Sequence, residues 1–307
     1  MASGITILDG GMGKELLRIG APFRQPEWSA LALLEDPAYV RKAHQNFVDA
    51  GAEVIIVNTY AVVPYHLGAD RFGARGAELA TLAADIAREV ADGADRPITV
   101  AASLPPLFGS YEPWNFVPEE APALWEVLVE AQAGKVDVWL AETVSSLDEF
   151  RTVAAAVADR PEPFWASFSL DDELPAGADA RTWAQLRSGE SIAQTAAAVV
   201  DNGSTETVLF NCSRPERFEP AIVQLADALG DRPIGIGAYA NAFEEKEEGY
   251  ASNGVILEHR DDLTPLVYAD TVQRWITAGA SIVGGCCGIH PDHIRALADR
   301  FGAPVEV

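Results

Sequence analysis

The chain has 307 residues, 22 Lys and Arg against 46 Asp and Glu, a formal net charge of −24, and 49% apolar residues. A charge of that size repels polyphosphate and anionic lipid, which argues against nucleic-acid and acidic-membrane partners. No run of about 18 apolar residues is present to span a bilayer.

Taken in chain order, short β-branched runs alternate with longer amphipathic ones. Ile5–Leu8 predicts the first strand. After Asp36-Pro37, the stripe Val40, Ala43, Phe47 and Ala50 has helical spacing, and Val54–Val57 predicts the second strand. The stripe Leu79, Leu82, Ala83, Ile86 and Val90 leads to a strand at Ile98–Ala101. A long segment, Leu104–Pro118, rich in Pro, Gly and aromatic residues, follows before a helix over 119–133 and a strand at Val136–Leu140. Ser146 caps a helix over 147–158, and Phe164–Phe168 is the fifth strand. Helix 190–201, strand Thr207–Phe210, helix 215–228 behind Ser213-Arg214-Pro215, and strand Ile234–Ile236 continue the alternation. A second long segment, Ala238–Leu263, carries the acidic run Glu244-Glu245-Lys246-Glu247-Glu248, read as solvated surface. Helix 265–278, strand Ser281–Val283 and the stripe Ile294, Leu297, Ala298 and Phe301 complete the pattern. Eight strand–helix units predict a (β/α)₈ barrel, expected as one domain over residues 1–307. A doubly wound open sheet is the competing arrangement, but Asp9-Gly10-Gly11-Met12-Gly13 lacks the dinucleotide-binding spacing.

Barrel enzymes carry their chemistry at the C-terminal ends of the strands. The residues there are Asp9, Asn58-Thr59, Ser103, Glu142-Thr143, Ser167 to Ser169, Asn211-Cys212, Tyr239 to Asn241 and Cys286-Cys287. All three cysteines fall on this rim, Cys212 after the sixth strand and Cys286-Cys287 after the eighth. Three thiolates suit a borderline-soft cation, Zn²⁺ first, and leave a fourth position open for substrate. The competing readings are buried apolar thiols or a strained vicinal disulfide. Asp9 and Glu142 could hold an ammonium, while backbone N–H groups near Gly10 and Gly11 could take a carboxylate, which together would read an amino-acid head group. The five histidines form no metal or nucleophile pattern; Gly-x-Ser-x-Gly and Walker motifs are absent. Three cysteines also make no disulfide framework, and Met1–Gly4 lacks the basic-then-apolar plan of a signal peptide, so a cytoplasmic location is expected.

With these residues in place the chain resembles the homocysteine S-methyltransferase family, which includes S-methylmethionine- and betaine-dependent enzymes and the homocysteine-binding module of cobalamin-dependent methionine synthase. The resemblance covers about residues 5–300. It rests on Leu8-Asp9-Gly10-Gly11-Met12-Gly13, Pro26-Glu27-Trp28-Ser29, Ala50-Gly51-Ala52-Glu53, Asn58-Thr59-Tyr60, Ala141-Glu142-Thr143 and, most specifically, Asn211-Cys212 with Gly284-Gly285-Cys286-Cys287.

The resemblance implies a zinc barrel that binds homocysteine through its thiol and methylates it to methionine. It implies Cys212, Cys286 and Cys287 as zinc ligands. Asp9 and Glu142 would contact the substrate ammonium, Gly10 and Gly11 its carboxylate, with Asn58 and Thr59 beside them. A cationic methyl donor suits aromatic faces, for which Trp28, Tyr60, Trp114 and Tyr111, in or near the predicted rim loops, and Asn241 are the candidate contacts, with ordinary packing as the competing reading of each aromatic. Departures from the family pattern bear on the donor. Lys14 stands where many members have Thr, Thr143 replaces the Tyr of betaine users, Gly288 matches betaine users, and Ala238-Tyr239-Ala240-Asn241 departs from a Tyr-Pro-Asn pattern. S-methylmethionine is the expected donor. Betaine, a selenocysteine or other thiol acceptor, and a non-catalytic zinc- or thiol-binding protein are the alternatives.

Overall fold

The computed structural model describes residues 4–244 and 260–302. Residues 245–259, with most of the acidic run, lie outside the described residues. The first half contains β1 (Thr6–Ile7), α1 (Met12–Arg18), α2 (Ala30–Glu35), α3 (Ala38–Asp49), β2 (Val54–Ile56), α4 (Pro64–Leu67), α5 (Ala69–Asp92), β3 (Thr99–Ala101) and α6 (Ala121–Gln132). The second contains β4 (Trp139–Val144), α7 (Leu147–Ala156), β5 (Phe164–Phe168), α8 (Ile192–Asn202), β6 (Thr205–Asn211), α9 (Phe218–Leu229), β7 (Gly235–Ala240), α10 (Pro265–Ala278), β8 (Ile282–Gly285) and α11 (Pro291–Phe301). All eight expected strands are present, each shifted by a few residues or none.

Six strands form a parallel sheet in the order β1-β8-β7-β6-β5-β4, and β2 pairs with β3. Two parallel bridges join these pieces into a ring, Leu8 to Val54 and Ala101 to Val138. The joints carry backbone hydrogen bonds of ordinary length: Asp9 N–H to Val54 O at 2.9 Å and Ala102 N–H to Val138 O at 2.8 Å. The expected (β/α)₈ barrel is therefore observed, closed on itself.

Strand residues alternate between two cores, as a two-residue repeat demands. Leu8, Val54, Ala101, Val138, Leu140, Leu209, Tyr239 and Ile282 fill the barrel interior. Their neighbours Ile7, Ile55, Val100, Trp139, Ala141, Val208, Phe210 and Val283 face outward and pack with the helices. A strand buried on both faces is apolar at most positions, which is why these segments read as near-continuous runs rather than alternating ones.

Two buried titratable groups bear on stability. His44 on α3 is wholly buried, neither ring nitrogen has a hydrogen-bond partner among the described residues, and burial lowers its pKa from 6.5 to about 4. Glu149, in the first turn of α7, accepts the Ser145 N–H at 2.7 Å, and burial raises its pKa from 4.5 to about 7. A depressed histidine stabilises the fold above its unfolded pKa and loses that contribution as pH falls towards 4. A raised carboxyl stabilises the fold below its unfolded pKa and loses that contribution as pH rises towards 7. Each is worth about 3 kcal/mol over its range, and between pH 4.5 and 6.5 the two slopes oppose each other. Relative to the parent, His44→Leu should gain denaturant resistance as pH falls from 7 to 4, and Glu149→Gln as pH rises from 4.5 to 7. Differences that do not change with pH would contradict both assignments.

Candidate metal and thiol site

The site stands at the C-terminal mouth of the barrel. Cys212 directly follows β6, at φ +50°, with its N–H donated to Tyr239 O at 3.2 Å. Cys286 and Cys287 directly follow β8. Cys286 donates its N–H to Ala240 O at 2.8 Å, and Cys287 O accepts the Ala242 N–H at 2.8 Å. The turn that carries them is packed against the end of β1 at van der Waals limits: a Cβ on Gly11 would lie 2.5 Å from Cys286 O, so no larger residue fits there.

All three cysteines are free thiols, and their sulfurs lie within 4.8 Å of one another. Cys212 and Cys287 are 3.9 Å apart, and Cys212 and Cys286 2.8 Å. The first spacing matches the edge of about 3.8 Å of a tetrahedron with metal–sulfur bonds of about 2.3 Å. Sulfurs this crowded resist ionisation on their own: hydrogen bonding to Cys212 and Cys287, with burial, pushes the Cys286 thiol well above its ordinary range. A divalent, thiophilic cation removes that penalty, so the donor set fits a metal ion of the Zn²⁺ type.

A cavity of about 960 Å³, part of it open to solvent, lies over the cluster. Asp9, Gly10, Gly11, Asn58, Glu142, Trp28 and Tyr60 line it together with the three cysteines. Asp9 accepts the Ile56 N–H through Oδ2 at 2.9 Å, while Oδ1 is buried without a partner among the described residues. Burial raises its pKa well above the ordinary value, helped by the charge of Glu142 and opposed by the Ile56 hydrogen bond. Glu142 accepts the Ser103 hydroxyl. Burial raises it to about 7, Ser103 pulls it down, and the Cys212 charge pushes it up. Asn58 gives its amide N–H to Ser29 O at 3.2 Å and leaves Oδ1 without a partner among the described residues. Three oxygen acceptors thus border one cavity with capacity to spare, an arrangement that suits an ammonium group.

The aromatic wall consists of Trp28, Tyr60 and His66, with the Trp28 and His66 ring centroids 6.3 Å apart. Tyr60 Oη lies 2.6 Å from Ser110 Oγ, and His66 Nδ1 lies 2.9 Å from Pro26 O. Burial holds the Tyr60, Tyr111 and Tyr239 hydroxyls well above the phenol range, so they remain neutral.

Three expected contacts fall elsewhere. Thr59 is fully buried and gives its hydroxyl to Ser103 O at 2.8 Å, bracing β2 against the next strand instead of lining the cavity. Trp114 is 74% exposed in a one-turn helix, Pro113–Asn115, outside the cavity. Asn241 is buried away from the cavity lining, its Oδ1 3.3 Å from the Phe243 N–H. Gly11 lines the cavity but spends its N–H on Ile289 O at 2.9 Å. Tyr111, among the aromatic candidates, lines the cavity, as do Lys14 and Tyr239, noted in the sequence as a departure from the family pattern and as a rim residue. His66, Ser110 and Phe243 line it as well, the last two marked in the sequence only by lying in the two long segments.

The homocysteine S-methyltransferase family model matches residues 6–301. Homocysteine S-methyltransferase 3 of Zea mays is 29% identical over 96% of this chain and 90% of its own length. Selenocysteine Se-methyltransferase of Brassica oleracea var. italica is 28% identical over 97% of this chain and 89% of its own. The metallated crystal structure of the homocysteine methyltransferase MmuM from Escherichia coli superimposes with a TM-score of 0.77 at 24% identity, covering 97% of this chain and 96% of that one, and shares the fold. The family match opens at the first residue of β1 and closes at the last of α11, taking in all eight strands and all three cysteines, and the chain belongs to the homocysteine S-methyltransferase family.

Proposed function

We propose that this enzyme methylates the thiol of homocysteine to give methionine, with Zn²⁺ as its metal and S-methylmethionine as its donor. The observation that carries the reading is one cavity lined both by a cluster of three thiols and by the carboxyls of Asp9 and Glu142. Held by Cys212, Cys286 and Cys287, Zn²⁺ would lower the pKa of an incoming thiol so that its proton leaves to solvent, while three thiolates keep the centre anionic and that sulfur nucleophilic.

The chain's own residues fix alignment. Asp9, Asn58 and Glu142 hold the substrate ammonium, and the N–H groups after Gly11, which a helix start leaves without intrahelical partners, take its carboxylate. The donor's methyl–sulfur bond breaks as the new bond to the acceptor sulfur forms, and the donor leaves as a neutral thioether. Trp28 and Tyr60 offer π faces to the sulfonium, and Lys14 offers a cation to a donor carboxylate.

Two features favour a sulfonium over betaine. Thr143 is fully buried and tied to Asn211 at 3.0 and 2.8 Å, so it builds no aromatic cage. Gly288 sits at φ +83°, a backbone requirement that accounts for the glycine without reference to the donor. Residues 1–307 are assigned to one homocysteine-binding barrel domain.

The test is a panel of S-methylmethionine, S-adenosylmethionine, betaine, dimethylsulfoniopropionate and methylcobalamin against homocysteine, scored for methionine, with selenocysteine as a second acceptor. S-methylmethionine should turn over fastest. Trp28→Ala should raise the donor KM about 2- to 30-fold and leave the homocysteine KM nearly unchanged. Turnover with betaine alone overturns the donor assignment. Binding of metal and homocysteine without methionine from any donor makes the protein a thiol sensor.

A further inference from the structure

We propose that Tyr111 is a positioning residue for the cysteine cluster and that Arg187 holds it in place, an inference that rests on reading the three cysteines as metal ligands. Tyr111 donates its hydroxyl hydrogen to Cys212 Sγ at 2.9 Å. Its backbone lies at φ +70°, a conformation that a bulky side chain adopts only where its surroundings over-determine it. The guanidinium carbon of Arg187 stands 4.6 Å from the Tyr111 ring centroid. That guanidinium is itself pinned, by Asp172 Oδ2 at 2.8 Å and Ser169 Oγ at 3.2 Å, and its side chain is only 12% exposed. An acid, a cation, a ring and a sulfur therefore form one connected column from the β5–α8 connection to the cluster.

The column answers a problem the reaction sets. With substrate present, four sulfurs of like charge share one centre and only one of them must be methylated. A hydrogen bond donated to a thiolate draws electron density from it and fixes its position. Placed on Cys212, it makes that protein sulfur a poorer nucleophile than the substrate sulfur and holds the cluster in a shape ready for metal.

The experiment uses the full-length protein loaded with Co²⁺ in place of its native metal. The parent should show thiolate-to-cobalt charge-transfer absorption in the near ultraviolet; a parent without it overturns the metal-site reading and this proposal together. Tyr111→Phe keeps the ring and removes the hydroxyl. It should move the band to longer wavelength, weaken metal binding about ten-fold in competition with a chelator, and lower kcat more than it raises the homocysteine KM. Arg187→Met should move the band in the same direction by less, because the ring is freed but not removed. A parent-like band and chelator midpoint in Tyr111→Phe, beside normal absorption in the parent, overturns the proposal and leaves the metal site standing. Should Tyr111→Phe not fold, the Arg187→Met spectrum decides, and an unshifted band there overturns it.

Discussion

Cys212→Ala, Cys286→Ala and Cys287→Ala are each expected to reduce metal content from about one ion per chain to a trace, and turnover by about 10³-fold or more. The magnitude follows from two losses. A free thiol with a pKa near 8.5 is only about 3% thiolate at pH 7, so losing the metal removes roughly a factor of 30 in nucleophile. Losing the anchor that aligns that sulfur with the donor removes about another factor of 100. Two remaining cysteines do not rescue the site, because among the described residues no other group of three His, Cys, Asp or Glu side chains is close enough together to hold an ion. Metal analysis after anaerobic purification, with a steady-state assay on the same preparations, checks the expectation. Parent-level metal in any one variant removes that cysteine from the ligand set.

Glu142→Gln is expected to raise the homocysteine KM about ten- to a hundred-fold while leaving metal content at the parent level, since a charge-assisted hydrogen bond is worth about 1.5–3 kcal/mol. The pH dependence follows from the same residue. Unliganded Glu142 titrates at about 7, held up by burial and the Cys212 charge against the Ser103 hydrogen bond. Below that pH the carboxyl is neutral and attracts an ammonium weakly. Above it, the carboxylate is formed and the homocysteine KM falls. Binding of the ammonium draws the pKa back down, so the complex holds the charged form. Glu142→Gln should flatten this limb of the profile. A variant with parent kinetics and the parent profile would reduce Glu142 to a partner of Ser103.

The strands were legible because a strand covered on both faces is apolar at most positions, and the cysteines because all three stand one or two residues beyond β6 and β8. The fourth strand shows the limit. Its apolar run stops at Leu140–Ala141, yet β4 continues through Glu142 and Thr143 to Val144, all buried. Polar residues read as the start of a loop, but here Ser103 and Asn211 satisfy them inside the wall. Neighbours at a strand end also point opposite ways, so Asn58 reaches the cavity and Thr59 does not. The helices α1, α2 and α4, at seven, six and four residues, are too short to repeat an apolar stripe. Tyr111 was legible only as an aromatic near the rim and not as a partner of Cys212, because an irregular loop has no period from which a side-chain direction can be read.

The close contact between Gly11 and Cys286 joins two turns far apart in the sequence. During synthesis Cys286 and Cys287 follow Cys212 by 74 and 75 residues. The turn that bears those two is then seated against the turn between β1 and α1, made long before it. The three-sulfur cluster therefore cannot assemble until β8 and the turn after it have been made and docked. An ion that needs all three sulfurs finds them together only in the folded ring.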